Sequence, residues 1–391
     1  MAAKPGLRCR PYGNIRTNAQ EDCRASEVSA MSRREFWTRA GPGLPALLAS
    51  GQSGGSSPGG AGGDWAEGVP VLESLKPVIA ASRFVQTIPE KIAEHADYMA
   101  YEELPLPEWR GMNLIEEDTE RTSTFFFVGN SLNFAFTDFE RHVVFQVSYR
   151  GRIWWDADAM MACLCRALDE GRPILQGDFL AGISRKDLEE IFRGNIEMPM
   201  LDERVGILRE VGARLAAKYQ GQFHPFLRQG SRRLYDRGEG ILERLVREFP
   251  SFYDASVYDH RQVIFHKRAQ LLLYMLHGRL SAKGLFGLED PERLTAFADY
   301  IVPLALRLMG IFRYAPALEE KINRRQLIPR HSPEEVELRA HSLYATTLLR
   351  QEINRRRPPD RQIITPQVDS RLWTHFHATF WPHHLTVTTA Y

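Results

Sequence analysis

No run of about 18 or more apolar residues occurs in this 391-residue chain, so no membrane-spanning helix is expected. An excess of one charge is missing too. The 50 Lys and Arg stand against 49 Asp and Glu, a net charge of +1. A dedicated nucleic-acid binder carries a basic face, and this near-neutral balance argues against one. Neither an internal repeat nor a glycine-rich phosphate loop is found. Cysteine is scarce, with 4 in all. Cys163 and Cys165 stand two apart on an expected helix, where their side chains do not face each other. Without a pair of CxxC motifs, no disulfide framework is implied, and a reducing, cytoplasmic compartment is the default.

What is present fits a globular protein. The chain is 43% hydrophobic and 25% charged, enough for one large domain or two moderate ones. Residues 1–68 differ from the rest. Gly51 to Gly63 reads GQSGGSSPGGAGG, a flexible linker composition. Ahead of it, Ser32-Arg33-Arg34-Glu35-Phe36 matches the core of a twin-arginine export signal. The apolar part that follows, Leu44 to Leu48, is short and broken by Gly and Pro, unlike a good signal core. The organisation expected is a disordered extension over 1–68 and one folded domain over 69–391. Arg355, Arg356 and Arg357 form the densest basic run and precede Pro358-Pro359, which reads as a solvated helix end.

Helical patterns dominate after residue 70. Pro89 to Ala100 is amphipathic, and Asp156 to Asp169 ends at Gly171 and Pro173. Ser184 with Asp187 three residues on resembles a capping box, as does Ser332-Pro333-Glu334-Glu335 before Val336 to Ile353. Leu201 to Tyr219 and Gly240 to Phe249 supply further helices. Phe125 to Phe136 and Val143 to Trp155 are rich in aromatic and β-branched residues. In the second, Tyr149-Arg150-Gly151-Arg152 between apolar runs predicts a β-hairpin. The fold class expected is mainly α with one small β-hairpin element.

The stretch from Phe249 to Phe312 carries the most chemistry. VIFHKRAQLLLYMLHG places Lys267 at the head of a helix whose buried face is Ala269, Leu272, Leu273 and Leu276. LTAFADYIVPLALRLMGIF places Asp299 inside an aromatic and aliphatic run. Leu294, Phe297, Ala298 and Ile301 continue at helical spacing until Pro303, so Asp299 stands near a helix break. An acid in apolar surroundings is costly unless it is paired or has a chemical task. Two readings stay open for each residue. Asp299 is a salt-bridged core acid or a catalytic one; Lys267 is a helix-end lysine with its head in water or a partner of that acid.

Several ordered segments carry a resemblance: LPLPEWRGMN, LNFAF, RALDEGRPI, MPMLDERVGILREVG, FPSF, KRAQ, FADYIVP, EVELRAHSL and VDSRLW. From about Leu72 to Tyr391 the chain resembles the queuosine salvage family, whose members are queuosine 5′-phosphate N-glycosidases. The resemblance implies a hydrolase that releases queuine from a small-molecule nucleotide, for salvage into tRNA modification, in the cytoplasm and with no stable nucleic-acid partner. A helical N-glycosidase with an acid at a helix break also invites a fold-level analogy with helix-hairpin-helix DNA glycosylases.

The resemblance brings Asp299 and Lys267 forward as the catalytic pair. N-glycoside cleavage builds positive charge on the ribose, which a carboxylate stabilises. Asp369, in VDSRLW, is implied in base recognition, where a carboxylate would accept from the donors of a guanine-like edge; its other reading is a helix N-cap. Phe297, Tyr300 and Trp155 are candidates for stacking on the base, or for core packing. Asn133, in SLNFAF, would bond the substrate or tie a turn. The chain departs from the family where Asn113 stands for a common His, Ile301 for a common Arg and Thr137 for a Trp. No carboxylate or cysteine motif accompanies His375, His377, His383 and His384, so no metal is expected, and the reaction needs no cofactor. A non-catalytic module binding modified nucleotides or tRNA, and a nucleosidase for ordinary purines, are the alternatives.

Overall fold

A computed structural model describes residues 64–379 and 381–391. The Ser32-Arg33-Arg34 motif and the Gly51–Gly63 linker lie outside the described residues. In chain order the first elements are α1 (Pro70–Ala81), β1 (Val85–Thr87), α2 (Pro89–Met99), α3 (Glu120–Ser131), β2 (Thr137–Asp138), β3 (Val143–Val144), β4 (Gln146–Tyr149), β5 (Arg152–Trp155) and α4 (Asp156–Asp169). Next come α5 (Gly177–Gly182), α6 (Arg185–Ile191), α7 (Leu201–Lys218), α8 (His224–Arg228), α9 (Ile241–Glu248), β6 (Ala255–Tyr258), β7 (Arg261–Ile264) and α10 (Lys267–Leu280). The last are α11 (Ile301–Leu308), β8 (Phe312–Tyr314), α12 (Pro316–Asn323), α13 (Pro333–Arg356) and α14 (Thr365–Phe376). Helix therefore dominates, and every described sheet is a two-stranded antiparallel pair. None of the described helices is long and apolar enough to cross a membrane.

The expected hairpin is β4–β5, with Tyr149 opposite Arg152 and both turn residues, Arg150 and Gly151, at positive φ (50° and 75°). That backbone matches the right-handed twist of the strands. Phe125 to Phe136 instead lies largely in α3, a helix buried on all sides from Thr122 to Ser131. Aromatic side chains there fill a core rather than one face of a sheet, so period carries no signal. Phe127 stacks on Phe223 at 4.1 Å and meets Phe249 edge-on at 4.8 Å.

Two apolar cores form. The larger gathers α1, α3, α4 and α7 to α10, with Phe127, Leu215 and Leu272 at its centre. The smaller lies between α2, α11, α13 and α14 and contains Ile92, Val302, Leu349 and Val368. Buried polar side chains stitch the irregular segments to these helices. Glu337, fully buried on α13, accepts the backbone N–H groups of Arg83, Phe84 and Val85 at 2.6–3.0 Å and the Tyr258 hydroxyl at 2.7 Å. Buried N–H groups need such partners where no strand or helix supplies them. Arg204 on α7 does the converse, donating to the carbonyls of Leu132, Phe134 and Ala135 and fixing the turn that follows α3.

One expected element breaks differently. The helical spacing from Leu294 to Pro303 is not continuous helix: Pro291–Arg293 forms a 3-10 turn, residues 294–300 are irregular, and α11 starts at Ile301 with Pro303 in its first turn. Proline is tolerated there because first-turn N–H groups have no intrahelical acceptor.

Candidate active site

A cavity of about 220 Å³ opens between α4, α10, α14 and the irregular segment 100–119. Asn133, Lys267, Phe297, Asp299 and Asp369 all line it. Sequence reasoning spread these residues over 237 positions of chain, and the fold brings them to one place.

Asp299 is 7% exposed. Its Oδ1 accepts from the N–H groups of Ile301 at 2.8 Å and Val302 at 3.0 Å, the first turn of α11. Those donors and the positive end of the helix favour an anion. Its other oxygen accepts no hydrogen bond among the described residues and is left to the cavity. The Asp299 N–H closes a tight turn onto the Phe297 carbonyl at 2.7 Å, so the carboxylate is held from both sides along the chain. Burial pushes its carboxyl above the usual range, while the Lys267 ammonium and the two helix N–H groups oppose that rise.

Lys267 is the first residue of α10 and is 5% exposed, so its head is not in water. His266 before it takes positive φ (52°), which turns the chain from β7 into the helix. The Lys267 Nζ donates to the Asn133 carbonyl at 3.4 Å. Burial lowers its basicity and Asp299 opposes that. Lys267 and Asp299 influence each other across the cavity without forming an ion pair, which leaves space between them. Asn133 thus contributes its backbone oxygen to Lys267 as well as a place on the wall.

Asp369 is not an N-cap. It lies inside α14, four residues after Thr365, and is 3% exposed. Its Oδ2 accepts from the Phe297 N–H at 2.8 Å, tying the loop before Asp299 to α14. Burial, and then the negative charge of Asp299, raise its carboxyl well above the ordinary value. Of these two neighbouring acids Asp369 is the better proton holder, since Asp299 has the helix N-terminus and Asp369 a single backbone donor.

Phe297 presents its ring beside Tyr274, centroids 5.6 Å apart. Tyr300 and Trp155 do not line the cavity. The Tyr300 hydroxyl donates to both oxygens of Asp156 at 2.9 Å, and its ring stacks on His383 at 4.5 Å. Trp155 is 46% exposed on β5. His377 stacks on Trp373 at 4.4 Å and His384 bonds the Tyr391 hydroxyl at 3.2 Å. No group of three potential metal ligands is gathered among the described residues.

Sequence reasoning did not single out Trp109, Asp158, Met161 and Trp373 on the cavity wall. Trp373 had a readable signal, since it stands one helical turn beyond Asp369. Asp158, two residues into α4, reads as an ordinary first-turn acid. Trp109 sits in the irregular segment at positive φ (51°), and nothing local marks it. Its carbonyl accepts from Arg279 at 2.7 Å, and Arg279 also holds Ile115 and Glu116 at 2.9 Å, so one buried guanidinium shapes that wall.

With this geometry in view, the comparisons are specific. The sequence model of a family described as "Queuosine salvage protein" matches residues 113–391. A protein of Sphaerobacter thermophilus named queuosine 5′-phosphate N-glycosylase/hydrolase is 34% identical over 324 residues, 82% of this chain and 97% of the relative. Proteins of the same name from Mus musculus and Schizosaccharomyces pombe are 31% identical over 229 residues and 28% over 281, covering 58% and 68% of this chain and 67% and 78% of theirs.

Proposed function

The chain belongs to the queuosine salvage family, and from that premise we propose that it hydrolyses the N-glycosidic bond of queuosine 5′-phosphate and releases queuine. The observation that carries the mechanism is the buried Asp299, one oxygen fixed by the α11 N-terminus and the other facing the cavity beside Lys267. As the bond to the base lengthens, positive charge grows on C1′ and the ring oxygen of the ribose. A fixed carboxylate in a cavity lined largely by apolar side chains stabilises that charge without reorganising.

Queuine is a 7-deazaguanine and lacks the N7 that ordinary purines protonate on leaving. Its negative charge on departure has to be met elsewhere. Asp369, the stronger proton holder, is suited to give an O–H to the departing ring. This differs from the acceptor role implied by the resemblance, because burial beside a second acid favours the neutral form. Water adds its hydroxide to C1′, its proton passes to the Asp299 side, and the base leaves with the proton from Asp369. Phe297 offers a face for the ring, and Lys267 holds Asp299 ionised between turnovers.

The test is direct. Purified protein is incubated with queuosine 5′-phosphate, queuosine and guanosine 5′-monophosphate, and free base is measured by mass spectrometry. Release of queuine from the phosphate ester, with little guanine, is expected. Folded protein that releases no queuine refutes the reading.

A further inference from the structure

Among the described residues, the cavity wall carries the carboxylates of Asp158, Asp299 and Asp369 but a single lysine or arginine, Lys267. The mechanism uses Asp299 and Asp369 and leaves Asp158 unexplained. Asp158 stands apart from the other two. It is solvent-exposed at the mouth, in the first turn of α4, whereas they are buried at the floor. Its Oδ1 accepts from the Asn113 Nδ2 at 2.9 Å. No Lys or Arg pairs with it among the described residues. Partial desolvation against the cavity wall raises its carboxyl above the ordinary value, and the Asn113 amide, then His377 at the C-terminal end of α14 with its ring flat on Trp373, oppose that rise. An acid at a cavity mouth, held in place by an amide yet paired with no Lys or Arg among the described residues, is a site for a positively charged part of a ligand.

Resting on the functional reading above, we propose that Asp158 is a specificity-determining residue that receives the secondary ammonium of the substituent on C7 of the queuine base. Queuine bears at C7 an aminomethyl group linked to a cyclopentenediol, and that amine is protonated at neutral pH. The glycosidic nitrogen must face Asp299, and Asp369 is tied to the loop that carries Asp299. The substituent at C7 then leaves the ring on the side away from the floor. α14 supplies the ruler: Asp369 is buried at the floor, and Trp373 and Thr374, a turn further, reach the mouth with Thr374 exposed. Asp158 lines the same opening from α4. Asn113 orients it. A neutral amide there fixes the carboxylate and does not compete for its charge, as an imidazolium would.

Three bases separate the contributions: 7-deazaguanine, its 7-aminomethyl derivative and queuine. Their dissociation constants are measured by calorimetry for the full-length protein and for Asp158→Asn, which keeps shape and hydrogen bonding. We expect Asp158→Asn to weaken the two amine-bearing bases about fivefold or more at low salt and to leave 7-deazaguanine unchanged. An equal loss on all three bases, or no loss on any, overturns the proposal. A loss confined to queuine also overturns it, because the diol and not the ammonium would then be the group Asp158 meets. If the wild-type protein binds none of the three, the functional reading itself falls and the assignment with it.

Discussion

Arg339 grips the carboxylate of Asp254 with two nitrogens, Nη1 to Oδ1 at 2.9 Å and Nη2 to Oδ2 at 2.6 Å, and the same pair reaches both members of the proposed catalytic couple. Asp254 Oδ2 also accepts the Lys267 N–H at 3.1 Å, and Arg339 Nε donates to the Ala298 carbonyl at 3.2 Å, one residue before Asp299. The guanidinium lies between the rings of Phe265 at 4.0 Å and Tyr391 at 4.7 Å. Burial pushes Asp254 up, yet Arg339 wins and holds it below the usual carboxylate range.

Removing one partner of this pair should therefore be costly. Arg339→Met strands a buried carboxylate, and a loss of about 3–5 kcal/mol is expected from denaturant unfolding. The double variant with Asp254→Asn should recover part of that loss, because the uncompensated charge is gone. A double variant no more stable than the single one would mean that Arg339 acts by packing between the two rings.

Asp299→Asn keeps the Oδ1 acceptor for the Ile301 and Val302 N–H groups and removes the charge proposed to face the ribose. Turnover is expected to fall on the order of a hundredfold or more. Affinity for free queuine should change far less, since the charge matters most in the transition state. Near-normal queuine release from a folded Asp299→Asn protein would remove Asp299 from the mechanism.

On the proposed mechanism, Lys267 sets the acid limb of the pH profile. Burial raises the Asp299 carboxyl and Lys267 opposes the rise. Activity needs the ionised form, so it falls as pH drops through that raised value, at higher pH than for an ordinary aspartate. Lys267→Met removes the opposing charge, and the acid limb of kcat should move further up in pH. A variant whose limb stays in place would show that another group titrates there.

Asp156 makes a stability prediction with a definite sign. Burial raises its carboxyl to about 6, against which Tyr300 and the Ala157 N–H act. The folded state therefore binds this proton more tightly than the unfolded state, whose aspartate titrates near 3.9. The penalty of holding the charge is present above about pH 6 and is relieved as pH falls from there towards 4. Asp156→Asn should raise Tm at pH 8 and lose that advantage near pH 4, as scanning calorimetry at the two pH values would record.

Much of this architecture was legible in the chain. Helical spacing with a polar residue at the head located α10 at Lys267, Gly171 and Pro173 marked the end of α4, and Arg150-Gly151 marked the hairpin. The segment before Asp299 was not legible, for a physical reason. Its apolar residues fall at helical spacing, yet side chains from distant elements take its backbone groups. Gln270 accepts the Thr295 N–H at 3.0 Å and donates to the Thr295 hydroxyl at 2.8 Å, while Asp369 takes the Phe297 N–H. Such long-range capping leaves no local pattern. Trp155 misled because aromatic character alone does not say which way a strand faces.

The two apolar cores meet at Asp299. Ala298 belongs to the larger and Val302 to the smaller, while Asp369 rides on the helix of Val368 and Leu372, also in the smaller. Lys267 rides on the larger. Regions with separate cores open separately, each with its own free energy. A partial opening of the smaller core would carry Asp369 off while α10 stayed folded. A base lodged in the cavity as proposed would touch both and work as a rivet. Its binding energy is then shared with the smaller core, and exchange of the α14 amide hydrogens should be slowed in its presence by a larger factor than that of α10, which is already protected.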